Sequence, residues 1–141
     1  MTLTIDHCRT IIGSTLAKGR EMGLKPLSVV VLDAGGHPLA FEREDGAAPG
    51  RFEIARGKAY GAIMLGMPGS AQMARAEAQA YFMAAVNGAY GGKVIPVPGG
   101  ILVQDADGQT IGAVGVTGDT SDNDAIAGEA GVLAAGLSAV I

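Results

Sequence analysis

The sequence predicts an α+β protein in which a mostly antiparallel, five-stranded sheet lies between two layers of helices. Two segments, "VVVL" and "IGAVGV", are apolar or small at every position, as in strands covered on both faces. Each belongs to a pair of strand-like runs joined by a glycine-containing turn, which indicates antiparallel hairpins. Segments with helical spacing precede, separate and follow the two hairpins. Together these patterns predict a three-layer α/β/α fold.

The first half of the chain begins with a helix in "LTIDHCRTIIGSTLAKGREMG", for which Thr4 is the expected N-cap and Gly23 the stop. "LSVVVLDA" and "HPLAFER" form the first hairpin. "RFEIARGKAYGAIMLG" is a helix with a stripe of small residues, so we expect it to lie close to the sheet. The expected buried stripes of the two helices are Ile5, Cys8, Ile12, Leu16 and Gly19, then Ala55, Ala59, Ala62 and Ile63.

In the second half, "SAQMARAEAQAYFMAAV" is predicted to be one alanine-rich helix capped by Ser70. "GGILVQDADGQTIGAVGVTG" forms the second hairpin, and "TSDNDAIAGEAGVLAAGL" is the closing helix. The expected buried stripe of the closing helix is Ile126, Ala130, Leu133, Ala134 and Leu137.

Composition narrows the classes of function. The chain has 141 residues, which fits one domain over residues 1–141, and its net charge is −4. Lysines and arginines do not cluster, so we expect neither a nucleic-acid partner nor an anionic membrane surface. The single cysteine, Cys8, excludes an internal disulfide and a cysteine-based zinc site. The polar N-terminus shows no signal peptide, so we expect a cytoplasmic protein.

A set of motifs runs through nearly the whole chain: "VVVLDAGGHPLAFEREDGA", "IARGKAYGA" and "PGGILVQDADGQTIGAVGVTGDTSDNDAIAGEAG". In this order the motifs resemble the GlcG/HbpS-like haem-binding family, which also occurs as the C-terminal domain of PduO-type proteins. The resemblance implies a profilin-like α/β/α fold, a homo-oligomer, and binding or handling of haem as the cofactor. A haem protein usually has an axial ligand such as His, Cys, Met or Tyr, and no residue stands out as that ligand. His7 and His37 are both interpreted as surface or turn residues.

Charged residues next to small ones are the candidate site. Arg43 continues the stripe of Leu39 and Phe41 on the second strand, and Lys58 borders the alanine stripe of its helix. A pair of cations beside close-packed glycines suits a carboxylate or a haem propionate. The alternative is that these charges are solvated ends of their elements. The candidate ligand-binding residues are Arg43, Asp45, Lys58, Gly99, Gly100, Gly115 and Gly118, and the candidate catalytic residues are Lys58 and Asp124.

Two classes of function remain open, beside a third option of an oligomeric binding or sensor module without chemistry. One is a haem-binding or haem-handling protein. The other is a small-molecule enzyme, such as a tautomerase, isomerase or hydratase, in which Arg43 binds an oxo- or hydroxy-carboxylate and Lys58 or an aspartate moves a proton. In either case we expect Arg43, Asp45, Lys58 and Asp124 to meet in one concavity near Gly99 and Gly115. No metal-ligand cluster is expected.

Overall fold

The computed structural model describes residues 1–141 and contains five helices and five strands. In chain order the elements are α1 (Ile5–Glu21), β1 (Ser28–Asp33), β2 (Pro38–Arg43), α2 (Arg51–Leu65), α3 (Gly69–Ala78), α4 (Ala80–Ala89), β3 (Gly100–Gln104), β4 (Thr110–Thr117), α5 (Ser121–Ala134) and β5 (Ser138–Val140).

The strands form one five-stranded sheet in the order β2-β1-β4-β3-β5, and every neighbouring pair is antiparallel. The two hairpins, β1–β2 and β3–β4, lie side by side because β1 pairs with β4. The predicted α+β class and antiparallel sheet are confirmed. The fifth strand follows the closing helix, where the sequence pattern had not placed one.

Helices cover both faces of the sheet. Val29, Val31, Val114 and Val116 face the layer formed by α1 and α5, in a core of sixteen buried residues. The alternate side chains of the same strands, including Val30, face α2 in a second core made mainly of small residues. Both faces of β1 and β4 are therefore buried, as their continuous apolar runs predicted.

Glycines allow α2 to lie directly on the sheet. A Cβ on Gly115 of β4 would overlap the carbonyl of Ala55, and one on Gly100 of β3 would overlap the carbonyl of Lys58. Ala55, Ala59 and Ala62 are completely buried in this contact, which confirms the predicted alanine stripe.

Four of the predicted details are wrong. The closing helix buries its small residues, including Gly128 and Gly131, whereas Ile126 and Leu133 of the expected stripe are 44% and 56% exposed. Gly131 lies against Thr15 and the carbonyl of Ile11, so close contact between α5 and α1 selects the face with small side chains. In α1, for the same reason, Ile11 and Thr15 are buried and Ile5 is exposed.

The third incorrect detail is the single alanine-rich helix. Gln79, with φ −142° and ψ 65°, divides it into α3 and α4. This change of direction brings Met83 and Val86 of α4 into contact with Val94 in a small separate core. The N-cap of α3 is Pro68 rather than Ser70, and it makes no side-chain cap.

Candidate functional site

A buried ion pair joins α2 to the start of α5. Lys58 Nζ lies 3.1 Å from Asp124 Oδ2 and donates a second hydrogen bond of 3.0 Å to the carbonyl of Val116. The side chains are only 3% and 1% exposed. The other oxygen of Asp124 accepts a 2.9 Å hydrogen bond from the backbone N–H of Asp119. The two candidate catalytic residues therefore contact each other directly.

Burial dominates the electrostatics of this pair. Loss of water lowers the pKa of Lys58, and the nearby positive charge of Arg51 acts in the same direction, whereas Asp124 opposes the shift. Loss of water also raises the pKa of Asp124, against the effect of the Lys58 charge. Opposite shifts of an acid and a base in contact bring their proton affinities closer together, which is a property of groups that exchange protons.

Gly99 separates this pair from a surface groove. A Cβ on Gly99 would lie 3.0 Å from Lys58 Nζ, and Gly99 has φ 108°, so only glycine is unstrained there. On the other side, Gly99 and Gly100 line a groove of about 260 Å³ together with Pro98, Ala125 and Ile126. The groove is small for a ligand pocket. The groove is also lined by Ser70, Asp122 and Ile141.

Arg43 and Asp45 lie elsewhere. Both are exposed, and they line a groove of about 400 Å³ with Arg20, Glu42 and Glu44, to which neither Lys58 nor Asp124 contributes. This groove holds three carboxylates and two guanidinium groups. The expectation that Arg43, Asp45, Lys58 and Asp124 share one concavity is therefore wrong. Arg43 lies at the end of an edge strand, where the apolar stripe of Phe41 reaches solvent.

The remaining candidate glycines have packing contacts. Gly115 and Gly100 face the backbone of α2, as described above. Gly118, with φ 143°, lies against the carbonyl of Pro26 and holds the loop after β4 close to the loop before β1. Of these three, only Gly100 lines a groove.

A second polar contact of α2 was missed by sequence reasoning. Arg51, the first residue of α2, donates a 2.7 Å hydrogen bond to Thr117 Oγ1 at the end of β4. Ser28, beside Thr117 in the sheet, is completely buried and its hydroxyl has no hydrogen-bond partner. The polar ends of two otherwise apolar strands, Ser28 and Thr117, were the signal that could have identified this place.

The two histidines occupy different environments. His7 completes a capping box at the start of α1, in which its Nδ1 accepts a 3.1 Å hydrogen bond from the backbone N–H of Thr4. His37 is exposed at the β1–β2 turn, and a Cβ on Gly35 would lie 3.1 Å from its ring. Gly35 lines a groove of about 420 Å³ between the tips of the two hairpins, with Leu3, Leu39 and Ile111 among its apolar residues.

Two general features bear on the kind of ligand. No group of three or more His, Cys, Asp or Glu side chains is arranged to hold a metal ion. No helix has both the length and the apolar character needed to cross a membrane.

The architecture defines the class: an α/β/α domain with a central antiparallel sheet and a buried lysine–aspartate pair between its layers. The model of the family described as "Haem degrading protein HbpS-like" matches residues 3–133. The chain therefore belongs to the HbpS-like family, as its motifs predicted.

Solved structures share this fold over nearly their whole length. The crystal structure of a PduOC:haem complex has a TM-score of 0.88, 19% identity and coverage of 100% of both chains. The ORFY protein of Klebsiella pneumoniae has a TM-score of 0.84 and 22% identity, covering 96% of this chain and 92% of that one. HbpS has a TM-score of 0.79 and 26% identity, covering 94% of this chain and 89% of that one. A search of curated proteins finds no match.

Proposed function

We propose that this protein binds haem, and the observation that carries the proposal is the match of residues 3–133 to the HbpS-like family. The fold is shared with a protein whose structure holds haem. Membership of the family supports a haem-related ligand-binding function. The location of the binding site in this chain is our own proposal.

The groove between the hairpin tips fits a haem group better than the other two concavities. It is slightly larger than the charged groove and considerably larger than the groove beside Gly99, at about 420 Å³ against about 400 and 260 Å³. Five of its ten lining residues are hydrophobic, whereas the charged groove has one in seven. An apolar wall with an imidazole at its edge is the environment that a haem protein needs.

His37 is the residue that would hold the iron. Its ring is exposed and lies beside Gly35, which is one of the residues that line this groove. Its backbone N–H donates a 2.9 Å hydrogen bond to Asp33 Oδ1, which fixes the turn and leaves the ring nitrogens free for a ligand. His7 differs because its Nδ1 is engaged in the helix cap. A bound haem supplies a redox-active iron whose reactivity depends on its axial ligand.

A Soret titration of purified protein with haemin tests this assignment. Replacement of His37 by Ala should abolish the ligated Soret band or shift it to that of unligated haemin. The matched variant His7→Ala should keep the band, although it loses part of the α1 cap. If the His37→Ala and parent spectra coincide over the titration, His37 is not the ligand. If the parent gives no ligated band, haem binding itself is refuted.

A second candidate function is favoured by the buried Lys58–Asp124 pair. Its opposite pKa shifts suit a proton-transfer site in an enzyme acting on an oxo- or hydroxy-carboxylate. The substrate would occupy the groove beside Gly99, and the Gly99 peptide would have to move for it to reach Lys58 Nζ. The other candidate ligand residues, Arg43 and Asp45, are too far removed in the fold to complete this groove, so under this proposal they act at the charged groove.

The test of the second candidate is a screen for tautomerase, isomerase and hydratase activity on small oxo- and hydroxy-acids. Replacement of Lys58 by Arg keeps the positive charge and should leave the folded protein inactive. Arg56→Lys, on the exposed side of α2, should retain full turnover. Turnover that survives Lys58→Arg would exclude the lysine from the chemistry, and no turnover in the parent on any of these acids would refute the enzyme.

We further propose that residues 1–141 act as one domain and assemble into a homo-oligomer. The exposure of Tyr81, Leu133 and Ile126, at 73%, 56% and 44%, supports assembly because these apolar side chains have no cover within the chain. Light scattering at micromolar concentration tests it, and a monomer mass would refute it.

A further inference from the structure

We propose that the start of α2 and the ends of β1, β2 and β4 form a binding site for a carboxylate group, built from Arg51, Arg43, Ser28 and Thr117. This site is distinct from the proposed haem groove. It adjoins the Lys58–Asp124 pair, because Arg51 bonds to the side chain of Thr117 and Lys58 to the carbonyl of the preceding residue, Val116. The proposal does not depend on haem binding.

The sheet register places three of these residues in a row. Ser28 is paired with Arg43 of β2 on one side and with Thr117 of β4 on the other. Side chains alternate along a strand, and Val30, two residues after Ser28, packs against α2. The three residues of the row therefore occupy the register that faces α2.

The unpartnered hydroxyl of Ser28 points to a ligand. Ser28 is 0% exposed, and its Oγ has no hydrogen-bond partner. A buried polar group without a partner is costly, and such groups are rare in native proteins. Its neighbour Thr117, 1% exposed, accepts the hydrogen bond from Arg51, so the hydroxyl proton of Thr117 is still available. A carboxylate accepts hydrogen bonds from both hydroxyls.

Two guanidinium groups without an ion pair supply positive charge at this site, although the protein as a whole is acidic. Neither Arg43 nor Arg51 forms an ion pair with a carboxylate, whereas Arg9, Arg20 and Arg56 do. α2 begins at Arg51, and its N-cap, Gly50, provides no side-chain hydrogen bond. The helix dipole and the free N–H groups of the first turn therefore add to the positive potential.

The nearby carboxylates are paired with other groups, as Asp124 is with Lys58, or lie in the opposite register, or are exposed to water. Glu53, in the first turn of α2, pairs with Arg56 at 3.3 Å. Glu44 accepts hydrogen bonds from Arg20 and from the backbone of Leu27. Glu42 is paired with Val29, whose side chain faces α1, so Glu42 occupies the opposite register. Asp45 is exposed to water in the loop after β2.

Binding exchanges one hydrogen bond for stronger ones. Arg51 moves from the neutral hydroxyl of Thr117 to the carboxylate, and the hydroxyls of Thr117 and Ser28 turn towards the same ligand. A charge-assisted, forked guanidinium–carboxylate contact is stronger than a guanidinium–hydroxyl contact.

The experiment is a titration of haem-free protein with malonate, followed by backbone amide NMR at constant ionic strength. Shifts should concentrate at residues 28, 43, 50–54 and 117. Inorganic phosphate distinguishes a carboxylate site from a general oxyanion site, and chloride reports ionic strength alone. Malonate should bind at least several-fold more tightly than phosphate. Equal shifts with chloride, or tighter binding of phosphate, would overturn the assignment to a carboxylate.

Variants then distinguish a carboxylate-binding site from a mere packing defect at the buried hydroxyl of Ser28. Arg51→Gln and Arg43→Gln should each weaken malonate binding roughly tenfold, whereas Arg75→Gln, which removes a guanidinium without an ion pair elsewhere, should not. Ser28→Ala should maintain or raise the melting temperature of the free protein and reduce the shift that malonate produces. If Ser28→Ala stabilises the protein with malonate affinity unchanged, the buried hydroxyl has no ligand and the proposal fails.

Discussion

Replacement of Lys58 by Met should destabilise the protein far more than removal of any other ion pair. The ammonium group is enclosed, because its side chain is 3% exposed and that of Asp124 1%. Without Lys58, the Asp124 carboxylate stays buried with only the backbone N–H of Asp119 as partner. Leaving one charge of a buried pair uncompensated costs about 3–5 kcal/mol.

That loss is a large part of the stability of the fold. Domains of this kind are stable by about 5–15 kcal/mol, so the single variant loses roughly a fifth or more of that stability. The expected fall in melting temperature is roughly 10 °C. Asp124→Leu should have a similar effect, because it leaves the ammonium with the carbonyl of Val116 alone.

The double variant Lys58→Met/Asp124→Leu is the decisive measurement. It removes both charges together, and apolar replacements of buried pairs are often close to neutral. In guanidinium chloride unfolding, the double variant should recover most of the stability that each single variant loses. The exposed pair Lys18–Glu21, with a 3.5 Å contact, is the matched control and should contribute at most about 1 kcal/mol. If the losses of the two single variants simply add in the double variant, the pair is not coupled and the reasoning is refuted.

Two further predictions concern packing and pH. Gly115→Ala should cost several kcal/mol in urea unfolding because its Cβ would overlap the carbonyl of Ala55, whereas Gly88→Ala, with nothing within 4 Å, should be neutral or stabilising. Equal effects would show that α2 can move away from the sheet. The pKa of Asp119 is lowered to about 2, and the largest cause is a hydrogen bond from the side chain of Asn123. The ionised carboxylate therefore stabilises the folded protein above about pH 4, and this contribution is lost as the pH falls towards 2. Asp119→Asn should flatten the acid limb of stability against pH, and an unchanged limb would contradict this assignment.

The sequence was sufficient for the fold because the strongest patterns were long and local. Continuous apolar runs around glycine turns identified both hairpins, and the alanine stripe identified the buried face of α2. The closing helix was misread because its larger apolar residues, Ile126 and Leu133, are exposed. Where two helices touch through Gly131, the size of a side chain decides burial more than its hydrophobicity does.

Only part of the candidate site could be predicted from the sequence, because contacts between distant elements leave no local pattern. Lys58 is a candidate because it borders the alanine stripe, and Asp124 because it lies at a helix start. No pattern in the sequence predicts that the two side chains contact each other. Their contact depends on α2 lying close to β4. Gly115 makes this possible because it has no side chain, and a Cβ there would overlap the carbonyl of Ala55. Arg43 was grouped with them by strand alternation, which gives a face but not a position along the sheet. It lies on an edge strand, and β1 separates it from β4.

The Lys58–Asp124 pair links the two layers of the domain in a way that apolar packing does not. Lys58 is on α2 and Asp124 is on α5, and the sheet separates these helices everywhere except beyond the ends of β3 and β4. The ion pair passes around that end, where Gly99 lies against Lys58. A leucine and a methionine would fill the same space but would not fix the angle between the helices, since apolar contacts are not directional. If the double variant is stable but gives broad or duplicated amide signals for α5, the pair specifies the arrangement of the layers. If its spectrum is as sharp as that of the parent, structural specificity does not explain the pair, and the proton-transfer role becomes the stronger explanation.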